Sequence, residues 1–96
     1  MRALIVAATL LVAAPAFAQS AASSATLVDA SRAPAARTII DGANWRCEGT
    51  SCTANGGANQ TATRACRRVV ARFGAVSAFT YKGVALSAEE LTACNA

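Results

Sequence analysis

The chain has 96 residues, of which 54% are hydrophobic, 5% aromatic and 15% charged, with a net charge of +4. That length accommodates one small domain and excludes a Rossmann unit or a barrel enzyme. The absence of histidine rules out serine triads and cysteine–histidine pairs, and it removes the commonest general base and metal ligand.

Residues 1–18 carry much of the hydrophobicity. Met1-Arg2 forms a minimal positive start, and residues 3–14 are apolar apart from Thr9. Pro15 ends the run, and Ala16-Phe17-Ala18 supplies a small-x-small cleavage signature ahead of Gln19. This order is that of a secretory signal peptide, with cleavage expected after Ala18. The apolar run falls short of the roughly 20 residues that a spanning helix needs, so the mature form is expected to have no transmembrane anchor. Removal of residues 1–18 takes away seven of the 26 alanines, and Leu, Ile, Val and Phe then make up only 12 of the remaining 78 residues. A chain so poor in large apolar groups needs cross-links to hold one fold.

Residues 19–36 are rich in alanine and serine. They are expected to be mostly flexible, with at best a short extended piece at 26–29. Residues 37–54 read as a β-hairpin. Thr38, Ile39 and Ile40 favour a strand, Asp41-Gly42 permits a bulge or kink within it, and Glu48-Gly49-Thr50-Ser51 suits a four-residue loop. Trp45 and Cys47 share one face of the extended chain. Trp45, the lone tryptophan, is expected to anchor the core.

A helix is expected over 60–73, because Cys66, Val69, Val70 and Phe73 fall on one face. Asn59 or Thr61 can cap its start and Gly74 its end. Residues 77–82 alternate as a strand that turns at Lys82-Gly83. Ser87 and Glu90 form a capping box for a short helix at 88–94, which puts Leu91 and Cys94 on one side. Asn59-Gln60-Thr61 fits a glycosylation pattern too short to carry weight.

The four cysteines, Cys47, Cys52, Cys66 and Cys94, are the strongest signal. In an exported chain of this size they point to two disulfides. Cys47 and Cys52 flank the hairpin loop, whereas Cys66 and Cys94 lie on the apolar sides of the two helices, so the favoured pairing is Cys47–Cys52 and Cys66–Cys94. The competing reading, a four-thiolate zinc site, fits poorly because the second pair lacks a knuckle spacing. No C-x-x-C is present for thiol redox chemistry.

Arg64, Arg68 and Arg72 recur every fourth residue on the polar face of the first helix, with Arg67 beside them. This face is either simply solvated or an anion-binding patch. The accessible anions outside the cytoplasm are cell-envelope components and acidic proteins, and export argues against nucleic acid. The five carboxylates of the chain form no evident acid–base pair, so the chain is not expected to be an enzyme or to hold a cofactor or metal.

Trp45, Arg46, Cys47, Glu48, Gly49 and Cys52 form a W-x-C-E-G-x-x-C block, and Leu91, Cys94 and Asn95 a closing L-x-x-C-N. Together with Ala65-Cys66, Phe73-Gly74, Phe79 and Gly83 they resemble a group of small uncharacterised exported proteins of alphaproteobacteria. The resemblance spans roughly 37–95. It implies export and disulfides and names no activity.

The sequence thus predicts a signal peptide over 1–18, a flexible segment over 19–36 and a disulfide-stapled α+β domain over 37–96. Its sheet would hold 37–47, 51–54 and 77–82. One helix would pack on a face of that sheet, and the other would be tied to the first. The expected setting is the periplasm or the extracellular space.

Overall fold

A computed structural model describes residues 22–96. The signal peptide and its cleavage site lie outside the described residues. Six antiparallel strands form one sheet in the order β2-β3-β4-β1-β5-β6. They are β1 (Ser23–Leu27), β2 (Thr38–Ile40), β3 (Ala43–Glu48), β4 (Ser51–Gly56), β5 (Val76–Tyr81) and β6 (Val84–Ala85). Helices α1 (Ala62–Phe73) and α2 (Ala88–Asn95) cover one face. The α+β class is as expected, with a larger sheet. Among the described residues no helix is long and apolar enough to cross a membrane.

The largest departure from the sequence reading is β1. Residues expected to be flexible form an inner strand, paired with β4 on one side and β5 on the other. The sheet therefore includes residues 23–27, upstream of the expected boundary at 37. Its side chains alternate, with Ser23, Ala25 and Leu27 buried and Ser24 and Thr26 exposed. The physical reason is space. Trp45 on β3 and Phe79 on β5 are separated by β4 and β1, which sets their backbones roughly 14 Å apart at normal strand spacing. Their ring centroids nevertheless lie 6.0 Å apart. The rings close that gap over Ala54, Ser23 and Ala25, where larger residues would obstruct them. The Ser23 hydroxyl, buried in this position, accepts the Lys82 amide at 3.0 Å, so burial leaves it satisfied.

The second departure lies at Asp41-Gly42. The expected strand 37–47 is two strands joined by a two-residue turn, since Ile40 pairs directly with Ala43. Asp41 and Gly42 have φ of 50° and 83°, the pair of positive values that a type I′ hairpin turn requires. The same chemistry recurs at Lys82-Gly83, which joins β5 to the unexpected β6. Glu48 and Ser51 pair as strand residues, so the next hairpin turns on Gly49-Thr50 alone.

The helices follow their signals. Thr61 caps α1 by accepting the Arg64 amide at 3.1 Å, and the chain leaves α1 at Gly74. Ser87 and Glu90 make both bonds of the capping box on α2. The buried face of α1 comprises Ala65, Cys66, Val69 and Phe73, and Trp45 meets Phe73 edge-on at 6.4 Å. Asn95 pins the end of α2 to the sheet, accepting the Val76 amide at 2.9 Å and donating to the Val76 carbonyl at 2.8 Å. Disulfides join Cys47 to Cys52 across the β3–β4 pair and Cys66 on α1 to Cys94 on α2, with Cα separations of 4.0 and 5.9 Å. No free cysteine is left.

Candidate functional site

The polar side of α1 carries the four arginines singled out in the sequence, all exposed. The structure divides them. Arg68 is held by Asp41 through two bonds, Nε to Oδ2 at 3.0 Å and Nη2 to Oδ1 at 3.1 Å. This fork geometry is the strong form of a guanidinium–carboxylate pair. Gln60 also donates to Asp41, at 3.4 Å. Asp41 reaches α1 because the tight turn projects it there from the end of the β2–β3 hairpin. Arg68 is thus a fastener between helix and hairpin.

Arg67 and Arg72 are placed differently. With Arg68, Ala71, Ile39, Ile40 and Asp41 they line a groove of about 550 Å³ between α1 and β2. Among the described residues the ion pair is that of Arg68 with Asp41, so Arg67 and Arg72 keep uncompensated charge. Ile39 lies at the same groove and is 61% exposed. Arg64 sits one turn earlier on the same face and does not line the groove. The site therefore has a cationic rim and an apolar floor.

Sequence reasoning missed Asp41. The signal was present, since Asp-Gly between β-forming residues is a hairpin turn, and reading it so would have carried the carboxylate to the end of the sheet. The hydrogen bond from Arg68 holds the Asp41 carboxyl below its ordinary value of 3.8; partial burial opposes the shift, and Gln60 and the charges of Arg68 and Arg64 add to it. The same bond raises Arg68. Because the folded value is depressed, the pair stabilises the fold above the ordinary carboxyl pKa. That stabilisation is lost as pH falls through the folded value. Asp41→Asn is expected to melt earlier than the native chain at neutral pH and to converge with it as acid protonates the folded Asp41 carboxyl. Melting curves that stay equally separated throughout would remove the ion pair from this account.

The lysine and the two carboxylates of α2 are committed elsewhere. The Lys82 ammonium donates to the Gly57 carbonyl at 2.7 Å. Glu89 and Glu90 lie in the first turn of α2, where they suit the helix dipole.

A family model described as a family of unknown function (DUF8200) matches residues 7–96. No curated protein and no solved structure matches the chain. The chain belongs to the DUF8200 family.

Proposed function

We propose that this DUF8200 chain is an exported, non-enzymatic binding module of the periplasm or extracellular space. In this reading its α1 arginine face engages an anionic envelope component or an acidic protein. The observation that carries this is the groove where Arg67 and Arg72, free of ion pairs among the described residues, flank exposed Ile39. A cationic rim over apolar surface suits a ligand that is itself anionic and partly apolar. Two disulfides suit an oxidising compartment, and the first eighteen residues have the order of a signal peptide. The resemblance to exported alphaproteobacterial proteins points the same way. The non-enzymatic reading draws support from the lack of histidine, the engagement of Asp41 by Arg68 and that of Lys82 by Gly57.

The test uses vesicles of phosphatidylglycerol and of phosphatidylcholine. The mature chain is expected to sediment with the anionic vesicles and to dissociate as salt rises. Arg64→Glu, Arg67→Glu and Arg72→Glu together should abolish that binding. Arg68 is left intact because its loss would loosen the β2–β3 hairpin. Binding that survives the triple variant would exclude this face as the contact surface.

A further inference from the structure

The sheet has a second face, uncovered by either helix, and it carries another pair of arginines. Arg46 projects onto it from β3, opposite Thr53 on β4. Arg37 lies one residue before β2. Together with Glu48, Ser51, Thr53 and the wall formed by 34–36 they line a groove of about 430 Å³. That is within the usual range of small-molecule sites, about 300–1,000 Å³. Among the described residues neither guanidinium forms an ion pair, although Glu48 shares the groove. Two like charges in one groove repel, and an oxyanion between them would relieve this. Guanidinium forks fit the oxygens of such a group, and the Ser51 and Thr53 hydroxyls stand beside them as further donors.

The surroundings narrow the ligand. The strand pairings continue a polar row from Thr53 to Ser24 and on to Thr80, which offers donors and acceptors to a polyhydroxylated molecule. Glu48, whose carboxylate can accept but not donate hydrogen bonds, suits a ligand hydroxyl and disfavours a bare polyanion. Trp45, Phe73, Phe79 and Tyr81, the rings among the described residues, are all buried. The open face therefore has no stacking platform for a neutral sugar, and recognition there must rest on charge and hydrogen bonds.

We propose that the Arg37–Arg46 groove binds a sugar carrying a phosphate or sulfate ester. The oxyanion sits between the guanidiniums and the sugar hydroxyls face Glu48, Ser51 and Thr53. This site is separate from the α1 face and does not depend on it.

The test is an amide-shift titration of the isotope-labelled mature chain with glucose 6-phosphate, glucose 6-sulfate, glucose, inorganic phosphate and dextran sulfate. A sugar ester is expected to shift residues 37, 46, 51 and 53, with glucose inert and inorganic phosphate weaker than the ester. Arg37→Gln with Arg46→Gln should weaken ester binding about tenfold or more, whereas Arg67→Gln with Arg72→Gln should leave it unchanged. Both pairs are exposed, and an unchanged melting curve shows that each variant is folded. Response to the free esters identifies a soluble sugar ester; response to dextran sulfate alone, if lost in the Arg37/Arg46 variant, identifies a polymer-borne one. The proposal fails if no probe shifts these residues, if inorganic phosphate binds as well as the ester, or if the Arg37/Arg46 variant binds like the native chain.

Discussion

Reduction with dithiothreitol is expected to unfold the domain. The Cys66–Cys94 bond spans a sequence separation of 28 and ties α1 to α2. On the loop-entropy model a loop of that size contributes about 3.5 kcal/mol, and the Cys47–Cys52 loop about 2 kcal/mol. Their sum approaches the whole stability of many small domains, about 5–15 kcal/mol. The non-covalent core offers little reserve. Its large members are Trp45, Phe73, Phe79, Tyr81, Leu27, Ile40, Val69 and Val76, and alanine and cysteine supply most of the rest. Cys66→Ser with Cys94→Ser should have the larger effect of the two bond deletions, since it also leaves α2 held mainly by Asn95 and Leu91. Circular dichroism and thermal melting with and without reductant measure this. Unchanged curves would mean that the apolar core suffices alone.

A chain that starts at residue 37 should also fail to fold, though it keeps all four cysteines. Without β1, β4 and β5 lose their shared partner and the sheet divides into β2-β3-β4 and β5-β6. Two small sheets exposing backbone groups at new edges are not stable alone. Within the intact chain Ala25→Leu tests the reason for the small residues. It raises hydrophobicity yet is expected to destabilise by about 1–3 kcal/mol, because the added atoms meet the Trp45 and Phe79 rings. A stabilised Ala25→Leu variant would contradict the packing argument for β1.

These two expectations rest on elements that differ in how far the sequence revealed them. Helix α1 was legible because Cys66, Val69, Val70 and Phe73 repeat with the helical period and Thr61 and Gly74 mark its ends. Helix α2 was legible from Ser87 and Glu90. Strand β1 was not. Its Ser23, Ala25 and Leu27 alternate correctly, but serine and alanine carry almost no hydrophobic signal, and the need for smallness arises only from rings on strands far away in sequence. The split of 37–47 depended on whether Asp41-Gly42 makes a bulge or a turn, and the type I′ geometry decided it. At the arginine face the four residues were identified as a stripe, but the division of labour was not. Only the fold brings Asp41 to Arg68 across 27 residues and leaves Arg67 and Arg72 on the groove. The Arg37–Arg46 groove was invisible for a similar reason, since it is assembled from a loop and two strands.

The central claim is that the chain works outside the cytoplasm as a domain closed by two specific disulfides. Non-reducing peptide mapping of protein recovered from the periplasm tests this most directly. Trypsin leaves Cys47 and Cys52 on one peptide and separates Cys66 from Cys94. The account predicts a mature chain beginning at Gln19, an internally bridged peptide carrying Cys47 and Cys52, and a bridged pair carrying Cys66 and Cys94. A chain that still begins at Met1 and carries four free thiols would contradict it.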